Sequence, residues 1–157
     1  PAQMYVWLPA YGKVRRVASH ATQQGFMGTT LAEADMATTH YAPLFQAAVA
    51  SEDDAAWELK LTPQDGVKTA YPQLEMRIGK ELGLPLEVRY FNKKGEHIKT
   101  ETRSDYICES DVCSPGVLKM VDHTRGDAAT TLKVEEIKFD TGVGDDRFSV
   151  RALQRGG

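Results

Sequence analysis

Leu86-Glu87-Val88-Arg89-Tyr90-Phe91-Asn92-Lys93-Lys94-Gly95 is the stretch that decides the fold class. Leu86, Val88 and Tyr90 alternate with Glu87 and Arg89, the period of two that makes one side of a strand oily and the other wet. Asn92 to Gly95 then reads as a hairpin turn, and the chain returns as Ile98 to Ile107. The return strand is polar on both sides, with Lys99, Glu101 and Arg103 on one and Thr100, Thr102 and Ser104 on the other.

Working towards the N-terminus, Leu74, Met76 and Ile78 alternate with Glu75 and Arg77, and Trp57, Leu59 and Leu61 with Glu58 and Lys60. Met4 to Leu8 and Lys13 to Val17 read as a hairpin around Pro9-Ala10-Tyr11-Gly12. Towards the C-terminus, Val117 to Val121, Thr131 to Phe139 and Phe148 to Leu153 complete the strands. Thr29 or Thr30 would cap a short helix over Leu31 to Met36, with Glu33 and Asp35 near its positive end. Pro43 to Val49 reads as a second helical stretch. The expectation is a mainly β (α+β) fold: a curved antiparallel sheet with one apolar and one charged face. Segments 30–36 and 43–49 are little cover for the apolar face. Unless the sheet curls over itself, that leaves surface for further chain, a partner or a ligand.

The bulk properties narrow the classes. A chain of 157 residues fits one domain that buries roughly 70% of its unfolded surface. A formal net charge of −3 argues against a dedicated nucleic-acid binder, which carries a dominant basic patch. No apolar run reaches the roughly 18 residues of a membrane-spanning helix. Cys108 and Cys113 are either two unrelated thiols or, the reading we favour, a local disulfide closing a turn, since Ser110, Asp111, Ser114, Pro115 and Gly116 surround them. So short a loop gains only about 2 kcal/mol by chain entropy, and the bond would imply an oxidising compartment. The spacing fits neither CxxC redox chemistry nor a four-cysteine zinc site.

The order of motifs along the chain carries a resemblance. Met4-Tyr-Val-Trp-Leu-Pro9 with Lys13-Val-Arg-Arg-Val17, Gly25-Phe-Met-Gly28 before a short acidic helix, Glu87-Val-Arg-Tyr-Phe91, Lys94-Gly95, Lys99-Thr100, Cys108 to Pro115, Met120, Thr130-Thr131, Ile137-Lys-Phe139, Phe148 and Leu153 follow one another. Together they resemble the outer-membrane lipoprotein-sorting protein family with the LolA-like fold. The resemblance covers nearly the whole chain. It implies an incomplete LolA/LolB-like barrel wrapped around helices, with a hydrophobic cavity for acyl chains. It also implies a periplasmic protein of Gram-negative bacteria, and as partners a lipid or acylated protein and an inner-membrane transporter of the efflux type. Members of the family are longer. Residues 1–157 are therefore expected to be a single LolA-like domain lacking N-terminal strands and a signal peptide.

Trp7, Trp57, Met76, Ile78, Val88 and Tyr90 are the candidates for the cavity-facing side; ordinary core packing is the alternative. Phe26 and Met27, flanked by Gly25 and Gly28, suit either a lid over a cavity mouth or a loop anchored to the core. Lys13, Arg15 and Arg16 form a cationic patch that would meet lipid phosphates or an acidic partner, or else a solvated strand face. No cofactor or metal site is expected. His20, His40, His97 and His123 show no metal-binding spacing, and neither a GxSxG elbow nor a phosphate loop occurs. His123 and His40 can be set beside Asp122, Ser19 or Thr124 as a triad only by free choice. The expectation is a non-enzymatic lipid carrier, with a protein-docking module as the alternative. Titration of unreduced, denatured protein should find close to no free thiol; two reactive thiols would remove the compartment argument.

Overall fold

The computed structural model describes residues 5–16, 25–38 and 40–155, without the side chains of Met27 and Ala37. Met4, Val17, Ser19, His20 and the Met27 side chain, all named above, lie outside the described residues. Strands β1 (Tyr5–Leu8) and β2 (Lys13–Arg16) form an antiparallel hairpin in which Trp7 faces Val14. Helix α1 (Glu33–Ala37) follows a 3-10 turn at Phe26–Gly28. Seven strands then pair in chain order as an antiparallel meander: β3 (Phe45–Glu52), β4 (Ala56–Pro63), β5 (Gln73–Gly79), β6 (Leu84–Phe91), β7 (His97–Glu109), β8 (Val112–Asp122) and β9 (Ala128–Lys133). The meander ends on β3 and β9, so the sheet is not closed into a barrel. A 3-10 turn at Asp145–Phe148 leads into α2 (Val150–Gln154).

Alternation puts the core on one face. Leu59 faces Met76, which faces Val88; Leu61 faces Leu74, which faces Tyr90. Leu74, Met76, Val88, Tyr90 and Met120 are buried there with Leu31 and Phe45 from the covering segment. The opposite face carries a lattice of ion pairs. Arg77 meets Asp53 and Glu58, and Arg89 meets Glu58, Glu75 and Glu87.

Several expectations need correction. Residues 43–49 are not helical: from Phe45 they form the edge strand β3, because β4 offers an unpaired row of backbone groups that outweighs the helix propensity of Ala47, Ala48 and Ala50. Phe148 to Leu153 is not a strand; Ser149 caps α2, its hydroxyl accepting from the Ala152 N–H. The last strand runs from Ala128 to Lys133, and beyond it only Val134 continues towards β8, donating to the Gly116 carbonyl. Helix α1 begins at Glu33. Neither Thr29 nor Thr30 caps it; instead the Asp35 side chain reaches back to the Ala32 N–H at 2.8 Å.

Cys108 and Cys113 are directly opposed in the β7–β8 ladder and joined by a disulfide. Ser114, Pro115 and Gly116 are strand, not loop. Gly116 lies where the ladder skips Asp105, and a Cβ there would fall 2.4 Å from the Asp105 carbonyl oxygen, so only glycine fits.

Asp53 closes the β3–β4 turn: one carboxylate oxygen accepts from the Ala55 and Ala56 amides, the other from Arg77. The Arg77 hydrogen bond first, then the two amides, hold this carboxyl down at about 2. A depressed carboxyl contributes fully above its ordinary value near 4 and loses that contribution as pH falls through the folded value. The Ala55 and Ala56 amide resonances should therefore shift together with a midpoint near pH 2. A midpoint near 4 would show that the turn is not held this way.

Candidate functional site

The inner face of the sheet is covered by residues 25–44, whose only α-helix among the described residues is the five-residue α1, and by the β4–β5 connection, which contributes Ala70 and Tyr71. A helix of one turn is not stable by itself, so its position has to come from side chains. Thr30 donates to the Met120 carbonyl at 2.8 Å, and its own N–H reaches Thr130 at 2.9 Å. Arg125 donates to the Thr29 carbonyl at 3.0 Å. Gly25 bridges to Ala32, and a Cβ there would strike the Thr29 carbonyl at 1.9 Å. The Gly25-Phe-Met-Gly28 motif is thus built around a close backbone approach.

The deepest anchor is polar. Asp35, on α1, accepts from the Lys99 ammonium at 2.7 Å and from the Tyr71 hydroxyl at 2.5 Å. All three residues are buried. One step along β7, fully buried Glu101 accepts from the Tyr90 hydroxyl at 2.8 Å and from Arg103, which also donates to Tyr41 at 3.2 Å. Burial raises the hydroxyls of Tyr71 and Tyr90 well above the ordinary tyrosine value, with Asp35 and Glu101 adding to it. Both tyrosines are therefore fixed donors. Lys99, Glu101 and Arg103 thus sit on the core face, correcting the expectation that this face is uniformly apolar. Strand β7 is polar on both sides, so alternation could not say which side turns inward. The available signal was three ionisable residues spaced by two in a central strand, a pattern that demands buried partners.

Of the candidate residues, Met76, Val88 and Tyr90 come together in the buried core. Ile78 and Trp57 are cross-strand neighbours, half-buried, at the end of the wall beyond α1, and the Lys80 ammonium lies 5.3 Å from the Trp57 ring centre. On the same face there, half-buried Leu118 faces exposed Leu132. Phe26 is half-buried in the covering segment. Trp7 belongs to the hairpin, where it shares a shallow pocket with Lys13, Arg15 and Gln154 and not with the wall residues. Beneath α1 lies a cleft of 150 Å³ reaching Tyr41, Phe45, Tyr71, Leu74 and Tyr90.

The histidines do not assemble as the free triad choices had it. Asp122 caps the next turn through Thr124, while His123 pairs with Asp127 at 2.5 Å and approaches Thr100 at 2.9 Å, as does His97. This group is exposed on the charged side. Among the described residues no cluster of three or more His, Cys, Asp or Glu is arranged to hold a metal, and no helix is long and apolar enough to cross a membrane.

A family model described only as an uncharacterized protein matches residues 1–155. No curated protein matches the chain. Among solved structures, a domain from Vibrio parahaemolyticus named for outer membrane lipoprotein sorting is 24% identical with a TM-score of 0.83, covering 98% of this chain and 66% of its own. A DUF1329 family protein from Desulfovibrio piger ATCC 29098 is 22% identical with a TM-score of 0.86, covering 96% of this chain and 64% of its own. A LolA superfamily protein from Nitrosomonas europaea is 17% identical with a TM-score of 0.71, over 96% and 68%. These likenesses show the fold, which is LolA-like. The chain spans just under two thirds of the first two structures.

Asp35→Asn should cost about 3–5 kcal/mol in urea unfolding, because it strands a buried ammonium. Adding Lys99→Met should recover most of that loss. A double variant as weak as the single one would show that the pair is not what anchors α1.

Proposed function

We propose, for a chain that belongs to the family of uncharacterized proteins matched over residues 1–155, that it carries the acyl part of a lipid or of an acylated protein against the concave face of its sheet. One observation supports this above the others: an open seven-stranded sheet with a largely apolar inner wall whose cover is a loop with one helical turn and the β4–β5 connection. The LolA-like fold agrees with it. On this reading the protein is a periplasmic binding protein, not an enzyme, and it works with a membrane transporter. Residues 1–157 act as one domain.

The 150 Å³ cleft under α1 is smaller than the roughly 300 Å³ at which ligand pockets begin. An acyl chain therefore enters at the open end, between Trp57, Ile78 and Leu118, and advances by lifting the covering segment. Each methylene buried contributes about 0.8 kcal/mol, so a chain of ordinary length offsets the cost of loosening one buried ion pair. Arg103 then lies beside the path with Glu101 already in place on the same strand, and Lys99, parted from Asp35, keeps the Tyr71 hydroxyl as its neighbour.

Protein purified without delipidation should show bound lipid in native mass spectrometry and should take up a fluorescent fatty acid. Ile78→Lys, at the half-buried entrance, should weaken uptake at least about tenfold by placing a charge on the path, with the far-ultraviolet circular dichroism unchanged. Finding neither co-purified lipid nor uptake would remove the carrier reading and favour docking of a protein on the sheet.

A further inference from the structure

We infer that the end of the molecule built by β2 and α2 is a docking surface for an anionic lipid bilayer. Lys13, Arg15 and Arg16 are exposed on β2. Arg147, Arg151 and Arg155 are exposed at a spacing of four along the turn at 145–148 and α2, and all three line one open pocket with Asp146, Phe148 and Ala152, three cations to one carboxylate. The two sets belong to one end, because Lys13 and Arg15 share a pocket with Gln154 of α2, and Tyr5 of β1 shares another with Phe148 and Leu153.

The charge here runs against the rest of the chain. The net charge is −3, yet this end gathers six of the 19 basic residues. On the sheet, Arg77, Lys80, Arg89, Lys99 and Arg103 all have carboxylate partners. Among the described residues none of the six at this end has one, although Asp145 and Asp146 open the same turn. Other cations such as Lys60, Lys119 and Lys133 are also without a carboxylate partner, but only here do six gather beside an exposed aromatic ring. Cations left unpaired in an acidic protein call for an anionic occupant.

The apolar residues decide which kind. Phe148 is 80% exposed beside Arg147, and Val143 and Val150 are exposed on either side of it. An acidic protein partner needs only the charges. Arginines flanking an exposed aromatic ring match the water–lipid boundary, where the cations meet phosphates and the ring enters the headgroup layer. This surface is separate from the concave wall, and the inference stands without the carrier reading.

The test is vesicle flotation of the whole chain with phosphatidylcholine alone and with roughly one quarter phosphatidylglycerol, at about 50 and 500 mM salt. The protein should bind only the anionic vesicles and release at high salt. Each basic residue near a membrane surface is worth roughly fivefold in affinity, so Arg147→Glu with Arg151→Glu and Arg155→Glu should lower binding at least about a hundredfold. Phe148→Ala should lower it severalfold with the salt dependence kept. Lys68→Glu with Lys93→Glu and Lys94→Glu changes the net charge equally elsewhere and should leave binding within about twofold. Unfolding curves matching the parent's show that each variant folds. Failure to bind anionic vesicles, or equal loss in the two triple variants, overturns the proposal; the first result would point to an acidic protein partner.

Discussion

One buried ion pair, Asp35 with Lys99 at 2.7 Å, fixes a helix too short to hold itself against a sheet too large to be left bare. Five residues cannot sustain an α-helix in water, and α1 turns only a few apolar side chains inward. Its place therefore depends on what the sheet offers. Lys99, near the start of β7, offers a charge, and Tyr71 offers a hydroxyl to the second carboxylate oxygen. A contact of this kind is directional where apolar packing is not. It specifies where along the wall the cover sits, a role for buried polar groups that the cost of desolvating both ions makes plausible only when every lone pair is met. No buried side-chain oxygen or nitrogen among the described residues lacks a partner.

The same strand explains how an oily wall tolerates charge. Glu101 is only 1% exposed, yet it lies between a tyrosine hydroxyl and a guanidinium. Burial opposes the Arg103 charge, but Glu101 and the neighbouring tyrosines outweigh it and raise that group above its ordinary value. Strand β7 thus crosses the concave face as a neutralised stripe, with Val88 and Tyr90 on one flank and Leu118 and Met120 on the other. The wall is apolar in effect because its ions are matched, and of the cations that reach the cover Lys99 is the one that meets a carboxylate there.

Much of this was legible in the amino-acid sequence, for a reason that also marks the limit. Strands β4, β5 and β6 have one greasy and one charged side, so alternation gives both their existence and their facing. Strand β7 has two polar sides, and only the partners brought by α1 and the 64–72 connection decide which goes in. Phe45 to Val49 reads as helix because Ala-rich segments prefer it locally, but edge pairing with β4 is worth more. Val150 to Gln154 was hidden by a short false alternation, although Ser149 followed by Val-Arg-Ala-Leu-Gln is a capped helix start. Of the candidate wall residues, those with a strand period were brought to the sheet, and Trp7, whose hairpin is separate in sequence, was not.

Net charge is a sum, and here it conceals a segregation. Strands β4 to β7 pair most of their ions: Arg77 and Arg89 each meet more than one carboxylate, and surface pairs of this kind contribute little apiece but leave little field behind. The six cations on β2 and on and around α2 are left with theirs. A protein that neutralises one face and exposes positive charge at one end has a direction, and electrostatic steering acts on direction rather than on total charge. The residues that create it lie outside the seven-stranded sheet, on elements that contribute nothing to its core. Altering them therefore probes orientation at a surface without touching the wall, and altering the wall probes holding without touching orientation.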